Sequence, residues 1–248
     1  MIIASDKTQL SLFSRDKQAW PVYISIGNIG KTTRRQPSKR AMIPLGYIPV
    51  TKLEWMPATA RTGVAYRLFH YCMSIIFKSM AEASKSGIDM VCADNHIRHI
   101  YPILAAYIAD FPEQCLVAAV KECNCPICVI NPELRGEPSN DEIRDPKWML
   151  KILHSWGTPE EREEFINLGL RPVPEPFWAD LPHTNIFTCF TPDLLHQLHK
   201  GVFKDHLVKW CIQLAEGGAT EIDRCFKCVP SHPSLRHFKN HPMDWPRI

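Results

Sequence analysis

A chain of 248 residues, 45% hydrophobic and 22% charged, can bury one substantial core, or one core and a smaller lobe, and its usage excludes general disorder. The 29 Lys and Arg nearly balance the 26 Asp and Glu, leaving a net charge of +3, so overall charge does not by itself point to nucleic acid. No stretch approaches the roughly 20 apolar residues of a membrane span, and Asp6 and Lys7 interrupt the opening MIIASDKTQL where a secretory signal would continue. Ten Cys at irregular spacing in a chain of this size make a soluble protein of a reducing, intracellular compartment the default.

Residues 1–12 read as a strand leading to Asp6, a polar turn at 14–17 follows, and residues 20–26 read as a second strand rich in aromatic and β-branched side chains. The segment KTTRRQPSKR then carries five basic residues, Lys31, Arg34, Arg35, Lys39 and Arg40, and no acid. Its Pro and Ser mark an exposed loop, whose cations can meet phosphates without reading sequence. The bland alternative is a solvated hairpin connection. Residues 42–50 give a third strand, with Pro44 and Pro49 suited to a sheet edge.

The period then changes. Tyr66, Phe69, Met73, Ile76, Phe77 and Met80 form one apolar helix stripe ended by Gly87. Residues 88–93 read as a fourth strand that stops at Asp94, residues 100–109 as a buried helix broken by Asp110, Phe111 and Pro112, and residues 115–120 as another strand. Helices are expected at 148–156 and 161–168, and Pro192 and Asp193 mark a further helix start. The order strand, strand, strand, helix, strand, helix, strand is that of an RNase-H-like mixed sheet. It predicts an α/β core over residues 1–122, followed over 123–248 by a Cys-containing, largely helical insertion. The chain opens within a strand and ends on HPMDWPRI, which reads as a fragment of a longer protein.

In that order the first and fourth strands are neighbours, so Asp6 and Asp94 can face one metal. Hard cations such as Mg²⁺ or Mn²⁺ take oxygen ligands, and two of them about 4 Å apart can activate a water and stabilise the oxygen leaving phosphorus. The alternatives are a solvent-facing Asp6 and a turn-capping Asp94. Asp193 is the best internal third acid, with His196 on the same helix face; the alternative is a carboxylate favoured by the helix dipole. Cys123, Cys125 and Cys128 in KECNCPIC offer Zn²⁺ ligand spacing, with Cys225 and Cys228 as a second pair and Cys189 and His183 between, against free thiols as the alternative. No phosphate loop, HExxH or GxSxG motif is present.

The runs ASDKTQLSLFSRDKQAWPVYISIGNI, YRLFHYCMS, CADNHIRHIYPILAAYIADFPEQCLVA, CPIC, EPFWADLPHTNIFTCFTPDLLHQLHKGVFKDHLVKW and HPSLRHF closely resemble the transposase-derived proteins of fungal Plavaka elements, of the Kyakuja-Dileera-Zisupton group. The resemblance implies a DDE-type core that cuts double-stranded DNA at transposon ends by metal-assisted hydrolysis and joins strands by transesterification, in the nucleus, as a homo-oligomer. In it Asp6 looks like the first acid and Asp94 like the second, while the family's final acid falls downstream of HQLHKGVFKDH, beyond residue 248. The competing expectations are a non-catalytic binding remnant and an RNase-H-like nuclease that cleaves without joining.

Overall fold

The opening residues form β1 (Ile2–Ser5), in which Ile3 and Ser5 are buried. A computed structural model describes residues 1–10, 17–138, 141–155, 158–230 and 232–233. Residues 11–12 of the expected first strand, 14–16 of the expected turn, Trp156 and the closing HPMDWPRI lie outside them. The chain divides into two compact units, Met1–Pro192 and Asp193–Ile248.

In the first unit a small ladder of β2 (Thr8–Gln9) and β3 (Gln18–Ala19) leads to β4 (Pro21–Ser25), antiparallel to β1 with Ile2 opposite Ser25 and Ser5 opposite Val22. The basic segment supplies a short helix, α1 (Lys31–Arg34), and a 3₁₀ turn before β5 (Met42–Tyr47), antiparallel to β4 with a register shift at Val22/Tyr23. Pro44 sits in this edge strand, where a missing N–H is tolerated. The apolar stripe becomes α2 (Ala58–Ser86), whose buried side chains are Tyr66, Phe69, His70, Met73, Phe77 and Ser84. Gly87 ends it at φ +74°, and a Cβ there would collide with the His99 ring.

The segment expected to be the fourth sheet strand is β6 (Ile88–Val91), and all its residues are exposed. It pairs only with β7 (Ile97–Ile100) in a two-stranded hairpin, with Asn95 at φ 60° in the turn. The strand beside β1 is instead β8 (Ala106–Ala109), from the run expected to be helical. Pro102 removes a helix donor, and the residues beyond it alternate between half-buried and buried as a strand requires. Of the expected strand at 115–120, residues 115–117 close α3 (Phe111–Val117) and Val120 makes only an isolated bridge to Leu170; Asp110 is the N-cap of α3, accepting from the Glu113 amide at 2.9 Å, with Pro in the first turn.

Helices α4 (Pro146–His154) and α5 (Pro159–Asn167) follow, the latter opened by a capping box of Thr158 and Glu161. A short α6 (Ile186–Cys189) leads to β9 (Phe190–Pro192), parallel to β8. The unit is thus a mixed α/β fold around a five-stranded sheet in the order β5-β4-β1-β8-β9. The second unit is helical where described: a π-helical run Leu194–Val208, α7 (Lys209–Leu214) and α8 (Gly218–Lys227). Among the described residues no helix is long and apolar enough to cross a membrane.

Phe177, from the proline-rich stretch after α5, lies at the middle of the core, its ring 5.3 Å from Phe77, 5.7 Å from His70, 6.3 Å from Tyr107 and 6.5 Å from Phe69. His70 Nδ1 accepts from the Phe177 amide at 3.3 Å, so Nε2 carries the hydrogen donated to Leu116 O at 3.0 Å. The neutral ring ties α2, α3 and the Phe177 segment together, and complete burial pushes its pKa down from 6.5 to about 4. The unfolded chain therefore takes up a proton first as pH falls, so this contribution to stability is complete above pH 6.5 and lost as pH drops towards 4, by up to about 3 kcal/mol. Denaturant unfolding of wild type and His70→Gln across that window checks this: the difference between the two profiles should vary with pH with that sign, and a pH-independent difference would contradict it.

Candidate metal centre

The parallel register of β1 and β8 pairs Ile3 with Tyr107 and Ala4 with Ile108. Two residues beyond Ala4 stands Asp6, and two beyond Ile108 stands Asp110. Each carboxylate thus follows directly on the last residue of its strand. Asp6 is exposed and Asp110 half-buried. The carboxyl ends of parallel strands are the usual place for ligands in open α/β sheets.

Behind the two aspartates lies a third carboxyl, Glu113, buried within α3. Ser5 donates to its Oε1, and Trp20 Nε1 lies 3.2 Å from both of its oxygens. Ser5 Oγ is also 2.6 Å from the Tyr107 hydroxyl. Residues of β1, β8, α3 and the approach to β4 thus share one polar network inside an apolar core. Burial raises the Glu113 pKa to about 7; hydrogen bonds from Ser5 and Trp20 oppose the rise, and the charges of Asp110 and Asp6 add to it. Both aspartates therefore act electrostatically on the same carboxyl.

Asp94 is placed elsewhere. It lies in the β6–β7 turn, off the five-stranded sheet, because the strand it was expected to close is an exposed hairpin arm. Arg98 grips it with two bonds of 2.7 and 2.6 Å, and the His96 amide donates to it at 3.2 Å. The Arg98 bonds, then the amide, hold its carboxyl below the usual range.

Asp193 follows Pro192 in the chain and opens the second unit. It caps the π-helical run, accepting from the Leu195 amide at 2.9 Å, and is hydrogen-bonded to His196 Nδ1. Burial pulls its carboxyl up, but the His196 and Leu195 bonds outweigh this and leave it below the usual range. The sequence reading that puts Asp193 and His196 on one face agrees with this contact.

Of the basic segment, Lys31, Arg35, Lys39 and Arg40 are exposed. Arg34 is half-buried, its guanidinium donating to Gly27 O at 3.2 Å and Ile29 O at 3.0 Å, so it shapes the loop. Cys125 and Cys128 share a tight turn, whereas the Cys123 thiol donates to Asn124 Oδ1 at 3.3 Å. Among the described residues no group of three or more His, Cys, Asp or Glu is arranged to hold a metal ion.

The sequence reading missed Asp110 and Glu113. The signal was present in ADFPEQ: an Asp, a Pro in the first turn and a Glu three residues after the Asp mark a helix start that leaves the end of a strand.

Fold and site together define a mixed α/β protein with paired carboxylates beyond adjacent parallel strands. A family model described as Plavaka transposase matches residues 1–211, and the chain belongs to that family. Neither a curated protein nor a solved structure matches it.

The unfolded Glu113 carboxyl ionises near 4.5 and the folded one near 7. The stability drawn from its protonated form is therefore complete below pH 4.5 and lost as pH rises through 7, by up to about 3 kcal/mol. In metal-free buffer, Glu113→Gln should unfold with a weaker pH dependence than wild type between pH 4.5 and 8; parallel profiles would contradict this.

Proposed function

We propose that the chain carries the catalytic core of a DDE-type transposase with an RNase-H-like sheet, and that Asp6 and Asp110 are the paired carboxylates at which a hard divalent cation binds. The observation that carries this reading is the parallel pairing of β1 with β8, after which both acids follow at once. The sheet order β5-β4-β1-β8-β9, an antiparallel meander continued by parallel strands on the far side of β1, supports the RNase-H-like assignment. Family membership supports the transposase.

The donor set fits Mg²⁺ or Mn²⁺. Such ions prefer oxygen ligands, and Mg²⁺ is usually held by one or two carboxylates, with waters and substrate phosphates filling the remaining positions. When bound, a cation of this kind lowers the pKa of a water and stabilises the oxygen leaving phosphorus. The protein's own task is to hold two carboxylates on rigid strand ends. The Glu113 amide anchors Asp110, and the Glu113 carboxyl, gripped by Ser5, ties α3 to β1.

In the proposed reaction a water attacks a DNA phosphodiester and frees a 3′-hydroxyl, which then attacks a second phosphodiester and joins the strands. Lys31, Arg35, Lys39 and Arg40 would contact phosphates, with Arg34 shaping their loop. A chromosomal substrate puts the protein in the nucleus.

A Mg²⁺-dependent cleavage and joining assay on duplexes carrying the element's ends tests this. Asp6→Ala and Asp110→Ala should each lower cleavage by roughly 10²–10³-fold or more, while Asp94→Ala stays near wild type. Undiminished cleavage by Asp110→Ala would overturn the assignment. Cleavage without joining would favour the simple nuclease.

A further inference from the structure

The turn Cys125–Pro126–Ile127–Cys128 plays no part in the site above, and its geometry is specific. The backbone amides of Ile127 and Cys128 both point at Cys125 Sγ, each at 3.4 Å. Two amide donors on one sulfur fix its position and complement negative charge on it. The turn is clamped from behind: Arg144 N donates to Ile127 O at 2.9 Å, Val129 N donates to Glu142 O at 3.1 Å, and Cys128 bridges Ile143. Pro126 is buried, while Cys125 and Cys128 are half-buried and Ile127 is exposed, so the pair lies at the surface.

Beneath the pair lies Arg144, 1% exposed. Its Nε donates to Cys125 O at 2.9 Å and one terminal nitrogen reaches Met149 Sδ at 3.8 Å. No carboxylate among the described residues forms an ion pair with it. A buried guanidinium bonded to the backbone of the cysteine turn and paired with no carboxylate calls for a nearby anion, which thiolates of that turn would supply.

We propose that Cys125 and Cys128 form half of a zinc site that a second copy of this chain completes with its own pair. Zn²⁺ takes four ligands in a tetrahedron, and among the described residues no third ligand is arranged with these two. The Cys115 thiol is occupied with Asn124 O, and Cys123 with the Asn124 side chain. Charge favours two copies. Four thiolates around Zn²⁺ carry a net charge of two minus, which two guanidinium groups, one Arg144 from each copy, offset; zinc on one copy's two thiolates would be neutral and leave Arg144 with nothing to offset. As the four Zn–S bonds form, four thiol protons pass to solvent.

The test is light scattering and metal analysis of the full chain, kept reduced with a phosphine, with and without added ZnCl₂. The expected result is a zinc-dependent doubling of mass at one zinc per two chains, reversed by chelator. Cys125→Ser and Cys128→Ser should each lose both zinc and the doubling, while Cys123→Ser and a Cys225→Ser/Cys228→Ser double variant keep them. One zinc per chain in a monomer, no zinc on wild type, or zinc retained by Cys125→Ser and Cys128→Ser would each overturn the proposal.

Discussion

The parallel ladder between β1 and β8 is the constraint on which the rest of the molecule depends. It joins two segments separated in the chain by the meander, α2 and the exposed hairpin, and its register brings Asp6 and Asp110 to the same end of the sheet. Because side chains alternate along a strand, slipping this register by one residue would turn either Ile3 and Ser5 or Tyr107 out of the core, according to which strand moved. Burial of those side chains therefore fixes the position of the carboxylates.

The polar groups inside this core reinforce the same arrangement. Glu113 is costly to bury, yet it gathers Ser5 and Trp20 and thereby ties α3 to the opening of the sheet. His70 does the same between α2, α3 and Phe177, as a neutral ring with both nitrogens satisfied. The two buried groups pull stability in opposite directions as pH changes, since one is retained in its protonated form and the other in its deprotonated form. In the proposed transposase, the network places Asp110 by way of the α3 cap, so the same contacts serve the fold and the candidate chemistry.

Much of this was legible in the sequence. The meander, the helix stripe from Tyr66 to Phe77 and its stop at Gly87 follow from periodicity and turn residues, and Asp6 stands out as a candidate because a charge interrupts an apolar opening. The fourth strand was misassigned for a physical reason. Residues 88–93 and 100–109 are both short apolar runs, and hydrophobicity alone does not say which of them enters the sheet. Asn95, with its left-handed backbone, marks the first run as a hairpin arm, and Pro102 disfavours a helix in the second. Asp94 was drawn into the site by that choice, and its pairing with Arg98 depends on a hairpin that periodicity does not reveal. CPIC was visible as a ligand motif, but the buried Arg144 beneath it was not, because nothing local in the sequence says that this Arg is enclosed.

In the proposed site Asp6 and Asp110 act together on one hard cation, and direct measurement of Mn²⁺ binding tests this without requiring turnover or DNA. Calorimetric titration of wild type, Asp6→Ala, Asp110→Ala and Asp94→Ala should show binding lost in the first two variants and kept in the third. Binding that survives in Asp110→Ala and disappears in Asp94→Ala would contradict the account.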